Sequence, residues 1–581
     1  MQIRGGRRAI ARSLEICGEG APSAAKFLKR EFSRPEVVRS QDLSALDRIR
    51  PLNSNAAAIA ERRTPAIDDS IDRVMTVAAE RACTQLRSKW PKLSAATLSR
   101  IANAIPLLLG LLAFTAMFTT PGAIILSILV ALPTAFRVWI FVHSMTVSVD
   151  RPPLQSFSAL PDEQLPVYSV ITALHHEAEV VDQLLSAIER LNYPAEKLDV
   201  IIAVEADDSA TRAAITARRH RVPITVIPVP PAELRTKPKA LNVALRFARG
   251  MFVVIYDAED RPERNQLHRA LKAFRLADDS LVCVQARLCV DTKTSWLARY
   301  FTAEYAGHFD VFLPRLARLG LPLPLGGSSN HFRTATLREV GGWDAHNVTE
   351  DADLGMRLAR FGYRSDVIDS TTYEEAPADV RRWLGQRSRW FKGWMQTWLV
   401  HMREPLRLLR ELGPHGFLTF QLIVGGNALV ALAHPAFVTA LGYDLIALFS
   451  EGCNSATFLR IVLCLMTAVP GYSVSASLYW LGLSHRGILK KFGILICTPV
   501  HWLLLSLAAW RAAIELTTRP HFWWKTEHGF DLDSRRDIAI RALLGLEHHL
   551  SELKRTGQLP QIWDDVRDSA LNRRRIPPAA V

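Results

Sequence analysis

The sequence predicts an alternating α/β domain set between helical membrane spans, and three observations predict it. Short apolar runs at Val167–Leu174, Leu198–Val204, Ile224–Val229 and Met251–Tyr256 alternate with helical patterns at 208–220, 237–249 and 264–277. Strands separated by helices build a mostly parallel sheet covered on both faces. Nearly uncharged stretches flank this block, at 105–143 and again at 416–449, 456–482 and 492–516, where one span needs only about 20 apolar residues. The 581 residues are 49% hydrophobic and 22% charged, which suits a soluble domain joined to spans and leaves ample chain for a large core.

Residues 1–100 read as a polar, Arg- and Ala-rich region, partly helical or disordered, with apolar residues at helical spacing over 68–88. Arg4, Arg7, Arg8 and Arg12 precede no apolar core of signal-peptide length, so a cleaved signal is not expected. Residues 101–146 read as a transmembrane hairpin, because Thr119-Thr120-Pro121-Gly122 interrupts the run near its middle and Arg-rich flanks stand on both sides. The α/β domain is assigned to 165–400, its first strand followed by a helix carrying Val180, Val181, Leu184, Leu185 and Ile188. Residues 415–517 hold three or four further spans, with His434-Pro435 the candidate break in the first. An interfacial helix is the alternative near Arg486, Lys490 and Lys491, and 518–581 read as a polar tail on the cytoplasmic side.

The net charge of +14 points to cytoplasmic loops, anionic headgroups and a pyrophosphate-bearing substrate. No nucleic-acid-binding signature accompanies it, so nucleic acid is not an expected partner. Seven cysteines without a CxxC pair predict neither a disulfide framework nor a structural zinc site.

The chemistry-bearing residues come in an ordered series. Asp257-Ala258-Glu259-Asp260 closes the apolar run Gly250–Tyr256. In open α/β sheets ligands bind beyond the carboxyl ends of strands, and Mg²⁺ takes one or two carboxylates plus substrate phosphates. The alternative reading of this cluster is a solvated turn. Asp207-Asp208 follows the second strand and suits either a nucleotide or a helix N-cap. Lys239, within Thr236-Lys237-Pro238-Lys239, starts a helix, where a phosphate is well placed, though a solvated lysine fits as well. Thr349-Glu350-Asp351 follows the glycine turn Gly341-Gly342-Trp343 and offers a carboxylate base, or a helix cap. Gln386-Arg387-Ser388-Arg389-Trp390 combines directional phosphate donors with a flat face for a sugar ring. Trp390, Trp394 and Trp398 recur every four residues, so the same helix also reads as an aromatic belt, with Trp394 and Trp398 on the membrane side.

Taken in order, these motifs resemble the family-2 inverting glycosyltransferases, specifically the membrane-embedded processive branch that includes cellulose and hyaluronan synthases. The resemblance covers 165–400 and extends to the flanking spans in arrangement only. It implies a GT-A-like α/β catalytic domain inserted between transmembrane helices, with Asp351 as general base and Glu350 beside it. It further implies nucleotide and sugar contacts from Asp207 or Asp208, Lys239, Asp257, Gln386, Arg387, Arg389 and Trp390, with Thr172 and Glu177 counted among them. The metal site would be Asp257 with Glu259 (or Asp260), because glutamate replaces the second aspartate of the family's D-x-D, and the ion Mg²⁺ or Mn²⁺. Gly326-Gly327-Ser328-Ser329-Asn330-His331 corresponds to the acceptor-contacting stretch. The implied partners are a UDP-sugar donor, a polysaccharide acceptor, the lipid bilayer, and an export or regulatory subunit. The implied place is a bacterial-type inner membrane with the catalytic domain cytoplasmic. The tail has Arg535-Arg536 without the later D/N-x-S-x-x-G, so no cyclic-dinucleotide-binding domain is expected in this chain. The alternative activity is non-processive transfer to a lipid-linked or short acceptor.

Overall fold

A computed structural model describes residues 65–146, 161–290, 295–377, 379–450, 452 and 454–523. The expectations for residues 1–64 and 524–581 lie outside the described residues. The chain opens with helix α1 (Pro65–Lys89), two short 3₁₀ turns (Pro91–Leu93 and Ala95–Thr97), and the apolar helices α2 (Arg100–Ala116) and α3 (Thr120–Thr146). Ser99 starts α2 by accepting the Ala102 N–H at 3.1 Å, satisfying one of the donors every helix start leaves open.

The α/β domain then runs β1 (Tyr168–Leu174), α4 (Val181–Glu189), β2 (Leu198–Glu205), α5 (Ser209–Thr216), β3 (Ile224–Val229), α6 (Lys237–Phe247) and β4 (Phe252–Ile255). It continues with β5 (Arg261–Pro262), α7 (Gln266–Leu276), β6 (Leu281–Val290), α8 (Trp296–Ala306), α9 (Leu313–Arg318), β7 (Asn330–Arg333) and α10 (Thr334–Glu339). It closes with α11 (Glu350–Arg360), β8 (Arg364–Glu374) and α12 (Val380–His401). Eight strands form one sheet in the order β3-β2-β1-β4-β7-β6-β8-β5. β1 to β4 pair in parallel, as do β6 and β8, but β7 runs antiparallel between the two groups. The expected mostly parallel sheet thus carries antiparallel β7 at its centre and β5, antiparallel to β8, at its edge. Alternate residues of β2 feed opposite layers: Val200, Ile202 and Val204 pack on the α4/α7 side, Ile201 and Ala203 on the α6 side.

Beyond the α/β domain come α13 (Pro405–Phe420), α14 (Gly426–Ser450), α15 (Ser455–His485) and α16 (Thr498–Thr518). Among the described residues, four helical stretches are long and apolar enough to cross a membrane: Thr120–Thr146, Pro405–Ser450, Ser455–His485 and Gly493–Thr518, with Arg100–Ala116 shorter. Their outer faces carry large apolar side chains with nothing over them, such as Ile446 at 71% and Phe449 at 87% exposure. Contiguous apolar surface of this kind suits lipid and not water. The proposed break at His434-Pro435 is absent, since α14 runs through Pro435 without interruption. The chain breaks instead at Gly413 (φ 67°, ψ 173°), a left-handed residue followed by Pro414, which starts the next helical segment. A π-helical turn, Gln421–Gly425, then joins α13 to α14.

Candidate active site

The parallel strands end on one side, and there a cavity of about 600 Å³ opens. His175 and Glu177 reach it from the loop after β1, Glu205 from the end of β2, and Asp257 and Glu259 from the turn after β4. Glu350 and Asp351 face it from the start of α11, and Gln386, Arg387, Arg389 and Trp390 from α12. The same cavity continues between the apolar helices to His434, Trp502 and Ser506.

Carboxylates crowd its sheet end. Asp257 pairs with Lys237, whose ammonium also donates to the Gly327 carbonyl at 2.9 Å. Burial alone would lower the Lys237 pKa, but Asp257, Glu350 and Asp351 overrule it and hold the lysine charged. Asp260 Oδ2 accepts the Asp257 N–H at 2.7 Å and the Ser328 hydroxyl, while its Oδ1 is buried without a hydrogen-bond partner. Burial and the nearby Asp257 push Asp260 up to about 7. Glu259 is driven well above the carboxylate range by burial and by Asp257, Asp260 and Glu374. Glu374, at the end of β8 and hydrogen-bonded to Tyr305, is pushed up to about 8 by burial and Asp260. Among the described residues no three His, Cys, Asp or Glu side chains form a closed metal site. The chemistry of the set nevertheless fits a hard cation bound openly, by one or two carboxylates with the remaining positions left to a substrate. Glu259, not Asp260, lines the cavity beside Asp257.

The Thr349-Glu350-Asp351 turn is clamped from two sides. A Cβ on Gly327 would stand 3.1 Å from Asp351 Oδ2, so the Gly326-Gly327 turn passes directly over this carboxylate. A Cβ on Gly393 of α12 would stand 2.2 Å from Thr349 Oγ1, which only a glycine permits. Arg389 adds a bond from Nη1 to the Val348 carbonyl at 3.1 Å. Asp351 Oδ1 accepts its neighbour Ala352 N–H at 2.8 Å. Burial raises the Asp351 pKa, and burial plus Asp351 push Glu350 up to about 8. Each of the two carboxyls thus holds its proton more tightly than a free carboxylate does.

Several sequence expectations change here. Lys239 is fully buried and bonded to Glu205 at 2.9 Å, so Lys237, two positions earlier, is the lysine that meets the cavity. Asp208 caps α5 through the Thr211 N–H (3.1 Å) and ties down the His176 N–H (2.5 Å), which is the N-cap alternative. Asp207 points outward to Arg235 at 2.8 Å, and it is Glu205 that closes β2 at the cavity. Thr172 is buried within β1 and does not reach the cavity. Arg387 is committed to a bidentate pair with Glu304 (2.8 and 2.6 Å), stacked 4.5 Å from the Trp390 ring. Trp394 lines the cavity and Trp398 donates to Gln421 at 2.9 Å, so neither forms an outward belt. The turn at Gly341 (φ 93°) and Gly342 (φ 66°) approaches Leu86 and Asn242, not a substrate. Sequence reading missed Glu304, Tyr305, Glu374 and Trp523. Only Trp523 carried a signal, an aromatic just past the last span, and Arg389 lies 4.4 Å over its ring.

The fold is a GT-A-like α/β domain with a carboxylate-lined cavity at its strand ends, followed by apolar helices. The Glycosyl transferase family group 2 model matches residues 252–514 and the Glycosyl transferase family 2 model residues 169–321. Over these residues the chain is similar to the family-2 glycosyltransferases. The chain is 24% identical to the probable glycosyltransferase YdaM of Bacillus subtilis, over 49% of this chain and 68% of that protein. It is 23% identical to the beta-monoglucosyldiacylglycerol synthase of Synechocystis, over 49% of this chain and 62% of that one. It is 24% identical to the poly-beta-1,6-N-acetyl-D-glucosamine synthase of Staphylococcus epidermidis, over 40% of this chain and 55% of that protein.

Proposed function

We propose that this protein transfers a sugar from a UDP-sugar, in the first instance UDP-glucose, with inversion onto a growing β-linked polysaccharide that leaves through the helical bundle. The observation that carries this reading is the continuity of one cavity from Asp351 and Trp390 to His434 and Trp502 between the apolar helices. Asp351 takes the proton of the acceptor hydroxyl as that oxygen attacks the anomeric carbon. The sugar–diphosphate bond breaks on the opposite face, and Lys237 and Arg389 stabilise the charge that develops on the departing diphosphate. Trp390 supports the acceptor sugar by stacking, held in place by Arg387 and Glu304. Asp257 and Glu259 would hold Mg²⁺ or Mn²⁺, which when bound supplies charge neutralisation to the diphosphate. The catalytic domain is assigned to the cytoplasmic side, where nucleotide sugars are made.

A second reading is non-processive transfer to a lipid. It is favoured by the likeness to a protein named as a diacylglycerol glycoside synthase and by the apolar wall of Leu422, Ile423 and Val430. One experiment separates the two. Membranes holding the protein are given labelled UDP-glucose and Mg²⁺, with Asp351→Asn in parallel. Label in a high-mass polymer sensitive to a linkage-specific glucanase, absent from the variant, is the expected result. Label confined to single-sugar adducts in the lipid phase sinks the processive reading.

A further inference from the structure

We infer that the segment Pro91–Thr97 is a strap that positions the catalytic turn, so that part of the N-terminal region serves the transfer step. This rests on the reading of Asp351 as the base. The strap lies ahead of α2, and Ser94 within it is fully buried. Asp344, seven residues before Asp351, is buried too, and its carboxylate takes its hydrogen bonds mostly from the strap. Oδ1 accepts the Ser94 hydroxyl at 3.0 Å and Oδ2 the Ala95 N–H at 2.6 Å, while the His346 N–H adds a third bond at 3.1 Å. A buried carboxylate without such donors is strongly disfavoured, so the strap and the turn hold each other.

The connection onward from Asp344 is short. Asn347 accepts the Thr349 N–H at 3.0 Å and donates to Thr397 of α12 at 3.0 Å, and the Val348 N–H reaches Gln396 at 3.2 Å. The strap is fastened at its other edge to the end of the same helix. Arg403 donates to the Lys92 carbonyl (3.0 Å), the Ser94 carbonyl (3.1 Å) and the Thr97 hydroxyl (2.7 Å), and Lys92 pairs with Glu404 at 2.7 Å. α1 backs the arrangement. Its Ala82 carbonyl accepts from Asn242 (3.3 Å), which also bonds both backbone groups of Trp343 (2.7 and 3.0 Å). The strap thus bridges the base turn and the far end of the helix that carries Arg389 and Trp390. Ser94 and Asp344 are positioning residues: they act on the base through the backbone.

The test uses the full chain in nanodiscs. Ser94→Ala is expected to lower kcat about tenfold while KM for the nucleotide sugar stays within about twofold, since a misplacement of the base is felt in the transition state and not in donor binding. Ser94→Thr, which keeps the hydroxyl, is expected to restore most of the loss. Hydrogen–deuterium exchange of the peptide covering 341–351 is expected to speed up in Ser94→Ala and, by the other edge, in Arg403→Ala. Unchanged kcat in a folded Ser94→Ala, or kcat and KM both altered with no rescue by threonine, overturns the strap. Unchanged exchange at 341–351 in both variants overturns it as well, whatever the activity. A wild type inert with every nucleotide sugar removes the reading of Asp351, and the exchange measurement alone then decides whether the strap braces this turn.

Discussion

The two ends of the cavity are built on opposite principles. At the sheet end, Asp257, Glu259, Asp260, Glu350, Asp351 and Glu374 gather around one lysine, and burial raises five of these carboxylates above their ordinary range. At the bundle end His434 exchanges hydrogen bonds with Tyr472 (2.6 Å) and Ser506 (3.2 Å), and Trp502 stands edge-on to both His434 and Tyr472 (5.5 and 5.1 Å). The first end holds unresolved repulsion that a cation or a protonation change relieves. The second is already satisfied, offering flat faces and hydroxyls to something neutral. On the proposed function, donor capture is electrostatic, whereas passage of the product depends on contacts too mild to trap it.

The comparison breaks most sharply at Asp351. Asp351→Asn keeps the shape and removes the proposed base, so kcat should fall by about 10²–10⁴-fold, read as initial rates on labelled donor. Trp502 variants at the other end should leave that rate within reach of wild type.

The second effect is a pH dependence confined to the sheet end. Glu374 is raised from an ordinary 4.5 to about 8, so the folded state holds its proton longer than the unfolded chain does. Its stabilising contribution is complete below the ordinary value and is lost as pH rises through about 8. Without divalent ions the melting temperature should therefore drop between about pH 4.5 and about pH 8, and Glu374→Gln should flatten that drop. Mg²⁺ should oppose it, since a cation favours the charged carboxylates. A melting temperature that falls as steeply in Glu374→Gln would remove Glu374 from the cause.

The smallest effect belongs to the bundle. Tyr472→Phe deletes one hydrogen bond to His434, about 1 kcal/mol. It should shorten the product several-fold at an unchanged rate of donor consumption, measured by sizing the polymer. Equal loss of both would place Tyr472 in folding instead.

What the sequence made legible was local. A strand ending on Asp257, a glycine turn before Asp351 and an Arg/Trp helix can each be read from neighbouring residues. Choosing between Lys237 and Lys239 could not be, because two positions on a helix differ by more than half a turn and only packing against Glu205 decides which points inward. Glu304 and Glu374 were silent for a related reason: their partners Arg387 and Asp260 lie 83 and 114 residues away. The Pro435 break misled because proline inside an apolar helix is tolerated where neighbouring helices cover the freed carbonyl, and the left-handed Gly413 was the true discontinuity. The role of the N-terminal region was illegible altogether, since Ser94 acquires meaning only opposite Asp344.

The contact between Gly393 and Thr349 makes α12 a ruler for the site. Spacing inside the helix is held by this contact. Each residue added between Trp390 and Gly393 would swing the Arg/Trp box by about 100° around the axis, turning Trp390 away from Asp351 across the cavity.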